Sequence, residues 1–277
     1  MALSLTVLGT GSPIPDPNRA GSAQLVRSDA ATVLVDAGRA VVMRLAAAGV
    51  LPPMLDTVLL THLHSDHICG LNDVITTHWV MNPVPTELHV RGPVGTQRVV
   101  DGILAMLAPD IGYRLDHHDD LIAPPKVVVH ELTDGEPLII GDLAITAHAT
   151  EHRPVEPTLG YRIEHPDGTI ALAGDTIPCP GLDRICDDAD VYVQTVIRDD
   201  LIALIPSARL RDVIDYHSTV AQAGETAARN RVGRLVFTHY VPGRAPGDED
   251  AWTAPAAALY AGPIDLADDL HRIDLTV

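Results

Sequence analysis

The segment Thr61-His62-Leu63-His64-Ser65-Asp66-His67 packs four side chains of metal-ligand type into six residues. The preceding run, Asp56-Thr57-Val58-Leu59-Leu60, reads as a short buried strand, and Ile68 to Val80 reads as a helix. The ligand types therefore crowd a strand-to-helix junction, where loop backbone is free to aim them at one point. Imidazole and carboxylate together suit Zn, Fe, Mn, Ni or Co rather than Ca or Mg. A single histidine is usually an ordinary surface or core residue; a dense His-x-His-x-Asp-His run behind an apolar strand is not. Four ligands this close in sequence do not easily wrap one tetrahedral ion, so the run predicts two adjacent coordination pockets completed from elsewhere in the chain.

A chain of 277 residues with 46% apolar content can bury a sizeable core. We read residues 1–277 as a single domain, because no linker, low-complexity tract or solenoid-period repeat interrupts it. No apolar run reaches membrane-spanning length, and Arg44 breaks the longest candidate, Ala40 to Val50. The opening Met1-Ala2-Leu3-Ser4-Leu5 carries no basic leader and runs directly into a strand. Cys69, Cys179 and Cys186 form no CxxC pair, so the expected compartment is the reducing cytoplasm.

Charge bears directly on function. The chain carries 19 basic and 37 acidic residues, a net charge of −18. Nucleic-acid affinity draws heavily on Lys and Arg neutralising phosphates, and this chain has no excess to offer. With one Phe, two Trp and six Tyr, it also has few platforms for stacking single-stranded bases.

Along the chain, strands and helices alternate. Leu3 to Leu8, Ala23 to Val26, Thr32 to Asp36 and Glu87 to Arg91 read as strands. Arg39 to Val50 and Pro93 to Ala108 read as helices, the second closed by Pro109 and followed by a long loop over 109–125 containing His117-His118-Asp119-Asp120. Further strands are expected at 126–132, 137–140, 143–149, Leu159 to Glu164, Thr169 to Ala173, Asp190 to Thr195, Arg234 to Thr238 and Ile273 to Val277. Thr219 to Val232 reads as a helix with Thr219 and Gln222 spaced as a capping box. The pattern predicts an α/β layered fold with two mixed sheets face to face and helices outside.

Three polar residues stand at the ends of apolar strands in the second half: His152, Asp175 and His239. Each alone is an ordinary loop residue. Taken with His62 to His67, they complete two metal sites. His148, on the strand just before His152, is a rival for the third histidine.

These motifs resemble the metallo-β-lactamase superfamily, and more narrowly its ribonuclease Z branch. The likeness is carried by Thr61 to His67, His152, Gly174-Asp175-Thr176 and Thr238-His239. It is supported by Leu8-Gly9-Thr10-Gly11-Ser12-Pro13, Leu159-Gly160-Tyr161-Arg162-Ile163 and Tyr216-His217-Ser218-Thr219. It spans residue 3 to about 240, and it looks closest to actinobacterial proteins labelled ribonuclease Z. The resemblance implies an αββα sandwich with a dinuclear centre at one edge. His62, His64 and His152 would hold one metal, and Asp66, His67 and His239 the other, with Asp175 bridging. A carboxylate has two oxygens, which suits ions roughly 3.5–4 Å apart. The implied cofactors are two divalent ions, zinc first, with Mn or Fe as alternatives. The third histidine is His152 rather than His148, because the family sets this ligand in the loop before the Gly-Tyr-Arg-Ile strand.

The implied reaction is phosphodiester hydrolysis by a metal-bridging hydroxide, on a small phosphodiester or an RNA 3′ end. Asp66 would also orient the nucleophile. His217 would protonate the leaving oxygen or stabilise the phosphorane. Ser12, Arg19 and Arg244 are weaker candidates for phosphate contact. Family members often form homodimers, so a homodimer is the expected assembly. Two features depart from the tRNA-processing pattern: no long arm fits between His152 and Asp175, and His239-Tyr240-Val241-Pro242-Gly243-Arg244 replaces a His-Phe-Ser-x-Arg-Tyr run. The alternatives are true tRNA 3′ processing, or arylsulfatase, lactonase or thioesterase chemistry on the same scaffold. Asp175 argues against a zinc β-lactamase and His64 against the di-iron redox branch, which usually has Glu there. His217 argues against a protein that merely binds metal.

Overall fold

The computed structural model describes residues 3–276. The first half runs β1 (Ser4–Gly9), β2 (Ala23–Arg27), β3 (Thr32–Val35), α1 (Val41–Ala47), β4 (Thr57–Leu59), α2 (Ser65–Ile68), α3 (Leu71–Met81), β5 (Glu87–Gly92), α4 (Thr96–His117) and β6 (Lys126–Glu131). The second half runs β7 (Pro137–Ile140), β8 (Leu143–Ala149), β9 (Leu159–His165), β10 (Gly168–Leu172), α5 (Pro180–Cys186), β11 (Val191–Ile197), α6 (Asp199–Ile202), α7 (Ala208–Arg211), α8 (Val220–Arg229), β12 (Arg234–Val241), α9 (Glu249–Ala257), β13 (Ile264–Leu266) and β14 (His271–Asp274).

Two seven-stranded mixed sheets result, ordered β14-β1-β2-β3-β4-β5-β6 and β13-β12-β11-β10-β9-β8-β7. They face each other across a core that includes Leu5, Val33, Tyr161, Ile163 and Val193. A second apolar layer joins the outer face of one sheet to α1 and α3 through Leu34, Val58, Leu45 and Val74. A third joins the other sheet to α5, α8 and α9 through Tyr192, Phe237, Leu182, Ala227 and Trp252. This is why β11 is buried at every position: a strand covered on both faces reads as a continuous apolar run rather than an alternating one. The expected αββα sandwich is the fold.

Strand direction locates the site. β3 to β6 run parallel to one another, as do β10 to β13. β8 joins the second group because it is antiparallel to β9, which is antiparallel to β10. The segments leaving the C-terminal ends of β4, β8 and β10, and the last residues of β12 at His239, carry the candidate ligands, and such ends are where parallel strands present their loops.

Local details bear out some expectations and correct others. Thr219 and Gln222 form a reciprocal capping box at the start of α8. The single helix expected over Ile68 to Val80 is two, α2 and α3, parted at Gly70, where a Cβ would lie 2.3 Å from the Gly38 carbonyl oxygen. The loop expected over 109–125 is helical to His117, with Pro109 inside α4. Proline removes the hydrogen bond to the carbonyl four residues back, at the exposed residue Ala105. An Arg114–Asp110 pair at 2.8 Å supports the following turn. α5, α6, α7, α9 and β13 had no counterpart in the sequence reading. The closing strand is β14, pairing antiparallel with β1; Val277, like Met1 and Ala2, lies outside the described residues. No helix among those residues is long and apolar enough to cross a membrane.

Candidate metal centre

Asp36 and Thr61 build the frame for the histidine-rich turn. The buried Asp36 carboxylate accepts the Thr61 backbone N–H at 2.8 Å and the Thr61 hydroxyl at 2.9 Å. It also meets His67 Nδ1 at 2.7 Å. Thr61 Oγ1 lies 3.0 Å from His62 Nδ1. With the hydroxyl proton given to Asp36, that oxygen accepts from His62 Nδ1–H. His152 Nδ1–H donates to the Tyr216 carbonyl at 2.8 Å. Each partner holds the proton on Nδ1, which leaves Nε2 of His62, His67 and His152 pointing inward as the atom available to a metal.

The inward atoms converge on Asp175, itself 3% exposed. Its Oδ2 lies 3.2 Å from Nε2 of His217, 3.4 Å from that of His67 and 3.6 Å from that of His239. The corresponding distance is 3.8 Å for both His62 and His152. His64 Nδ1 stands 3.0 Å from His62 Nε2 and 3.2 Å from His152 Nε2. Asp66 Oδ2 is 3.0 Å from His239 Nε2 and 3.6 Å from His67 Nε2. The ligand atoms form overlapping groups: His62, His64, His152 and Asp175; Asp66, His67 and His239; Asp175, His217 and His239.

Electrostatics divide the imidazoles into two kinds. Burial lowers His62 and His64, and brings His152 down to about 4. Burial also disfavours the charged forms of His67 and His239, but the carboxylates around them, Asp175 foremost, outweigh it and raise both. Burial likewise opposes ionisation of Asp66 and Asp175. The hydrogen bond from His239 overrides it and brings Asp66 down to about 2. The charges of His239 and His67 hold Asp175 well below the usual carboxylate range.

The donor set fits divalent metal ions. His67 Nε2 and Asp175 Oδ1 are buried without a hydrogen-bond partner. Buried polar atoms of this kind are costly unless something satisfies them. Neutral imidazole nitrogens and carboxylate oxygens gathered together suit a transition-type ion.

All eight predicted site residues, His62, His64, Asp66, His67, His152, Asp175, His217 and His239, meet in this cluster. Other candidates do not. His148 accepts from Arg184 and faces Asp134 instead. Arg19 and Arg244 both pair with Asp268 while flanking the Tyr240 ring at 5.2 Å, so they are structural rather than free for phosphate. Ser12 lines a cavity of about 410 Å³ over the cluster. His117 and His118, at the end of α4, pack on each other and join none of the candidate metal groups. Sequence reasoning missed Asp36, whose signal was a lone acid between an apolar strand and Ala37-Gly38. It also missed the segment from Ile202 to Tyr216, which walls the cavity.

Comparison with known proteins agrees with the fold. Residues 31–240 match the model of the β-lactamase superfamily domain. A ribonuclease Z of Mycolicibacterium gilvum is 51% identical over 275 residues, covering 99% of this chain and 96% of that protein. A ribonuclease Z of Mycobacterium avium is also 51% identical, covering 99% and 98%. Among solved structures, the metallo-β-lactamase fold protein YhfI of Bacillus subtilis superposes with a TM-score of 0.78 at 21% identity, covering 98% of each chain. The short form of human tRNase Z superposes with a TM-score of 0.68 at 24% identity, covering 99% and 100%. The chain belongs to the ribonuclease Z family of the β-lactamase superfamily and is a metal-dependent phosphodiesterase.

Proposed function

We propose that this phosphodiesterase cuts RNA at its 3′ end, using two divalent metal ions with zinc as the resident metal. His62, His64 and His152 hold one ion, and Asp66, His67 and His239 the other. Asp175 serves both. The observation that carries the reading is the convergence of five imidazole Nε2 atoms within 3.8 Å of one buried carboxylate oxygen. When bound, such a pair of ions supplies charge to polarise a phosphate and to activate water near neutral pH.

The protein residues supply the rest. Asp175 and Asp66 contribute negative charge that offsets the ions. Asp36, Thr61 and the Tyr216 carbonyl orient the histidines. His217 lines the cavity with Nε2 3.2 Å from Asp175 Oδ2, while its Nδ1–H donates to the Val213 carbonyl at 3.1 Å. That anchor aims Nε2 toward the reacting phosphate, where a proton on it can pass to the leaving oxygen. A departing ribose oxygen is a poor leaving group and needs this proton, an effect of about 10²–10⁴-fold in rate.

RNA rather than any diester is favoured by full-length relatives named ribonuclease Z. A small phosphodiester is the second reading, favoured by the acidic surface and by a compact cavity of about 410 Å³. The test is cleavage of a precursor tRNA with a 3′ trailer, beside bis(p-nitrophenyl) phosphate, by protein of measured metal content. A defined cut of the trailer supports the RNA reading. Turnover of the small diester alone replaces it with the second. Turnover of neither by fully metallated protein overturns both.

A further inference from the structure

The cavity over the metal cluster has one wall made of residues outside the cluster. Ile202, Ile205, Leu210, Val213 and Tyr216 come from the stretch between β11 and α8. The Tyr216 ring is fixed edge-on to His152, with centroids 5.2 Å apart, and tilted over His217 at 4.8 Å. Apart from the Tyr216 hydroxyl this wall is an aromatic face and branched aliphatic chains, which match the flat face of a base.

One cation interrupts this wall. Arg209 is the single Lys or Arg lining the cavity. Its neighbours are committed elsewhere: Arg198 pairs with Asp200, and Arg211 donates to the Ile205 carbonyl. Arg209 has no hydrogen-bond or ion-pair partner among the described residues. The carboxylates of the same stretch, Asp199, Asp200, Asp212 and Asp215, do not line the cavity. In a chain with 37 acidic and 19 basic residues, an exposed guanidinium with no internal partner on the cavity that also holds the cluster is available to an anion. Its planar donor fork suits phosphate.

We infer that this wall recognises the nucleotide next to the scissile phosphate. Its base lies against Tyr216 and the aliphatic side chains, and Arg209 pairs with the adjacent phosphate. The inference rests on the RNA reading above. It makes recognition tolerant of base identity, because stacking needs only a π face, and it makes a second phosphate part of a good substrate.

The test uses holoenzyme of matched metal content, with Arg209→Ala, Arg209→Lys and Arg209→Glu compared to wild type. Substrates are a short RNA carrying a 3′ trailer and bis(p-nitrophenyl) phosphate, which has no second phosphate. Arg209→Ala is expected to lower kcat/KM on RNA about tenfold more than on the small diester, mainly through KM. It should also flatten the salt dependence on RNA by about one phosphate contact. Arg209→Lys should recover part of the loss, and Arg209→Glu should deepen it. An RNA made abasic at the nucleotide beside the cut should bind wild type more weakly, while the four bases behave alike. Equal effects of Arg209→Ala on both substrates, or an abasic RNA that binds normally, would overturn the recognition wall and leave the RNA reading standing. Failure of metallated wild type to cut RNA would overturn the RNA reading and the wall with it.

Discussion

Replacing Asp36 by Asn separates the metal site from the fold that carries it. Asp36 is 1% exposed, with φ 60°, a conformation Asn tolerates well. Its oxygens serve three donors: the Thr61 N–H, the Thr61 hydroxyl and His67 Nδ1–H. An amide of the same shape has one accepting oxygen. With that oxygen kept on the Thr61 N–H, the new NH₂ faces His67 Nδ1. The imidazole must then give up its Nδ1 proton and keep its remaining one on Nε2, the atom that should coordinate. In metal-free protein Nε2 keeps an acceptor 3.4 Å away at Asp175 Oδ2, but His67 loses one of the two carboxylate charges that raise it. We expect metal-free stability to fall by about 1–3 kcal/mol, since a charge-assisted hydrogen bond is exchanged for a contact with a neutral amide. Metal affinity should fall about 10- to 100-fold, the usual cost of losing a carboxylate behind a ligating histidine, or about 1.4–2.7 kcal/mol. Zinc competition with a chromogenic chelator gives the affinity, and thermal melts of chelator-treated protein give the stability. Affinity within about twofold of wild type would refute the tautomer argument. A collapse of the metal-free protein would show that Asp36 holds the fold instead.

Other outcomes follow from the same geometry. Asp175→Ala should lose metal and activity together, whereas His217→Ala should keep its metal, read by metal analysis, and lose about 10²–10⁴-fold in kcat on an unactivated diester. Wild-type kcat in His217→Ala would end its role as acid. Gly38→Ala sets a Cβ 2.5 Å from both the Asp66 carbonyl oxygen and the Gly21 carbonyl carbon, so it should displace the Asp66 turn and lower metal content; full metal loading would refute this. In metal-free protein, raised His67 and His239 contribute stability that is present below about 6.5 and lost as pH rises through their folded values. His152, lowered to about 4, acts oppositely, costing stability as pH falls from about 6.5 toward 4. Zinc binding should therefore release protons from His67 and His239. Calorimetry in buffers of different ionisation enthalpy measures this, and a value near zero would mean both are already neutral.

What could be read from the sequence, and what could not, follows from how much the chemistry restricts the residue type. A metal centre needs imidazole and carboxylate, so His62 to His67 announced itself, and Asp175 and His239 stood out as polar residues ending apolar strands. Resemblance, not residue chemistry, separated His152 from His148. Pro109 misled because a local rule outweighed a periodic one: Ile103, Leu107, Ile111 and Leu115 recur every four residues across it and are all partly buried in α4. Asp36 was hidden for a different reason, since a single acid after a strand is common and only its contacts with Thr61 and His67 distinguish it. The apolar wall was the least legible part. Ile202, Ile205 and Val213 are indistinguishable in sequence from core residues, and they do pack into a small core with Ile197 and Val241. Arg209 illustrates the limit most directly. It is one of 19 basic residues, and nothing in its neighbourhood of sequence marks it. Its interest comes from what the fold does with the arginines around it, which are spent on Asp200 and on the Ile205 carbonyl. A substrate contact made by an otherwise ordinary charge is thus defined by the absence of an internal partner, a property of packing that no motif encodes.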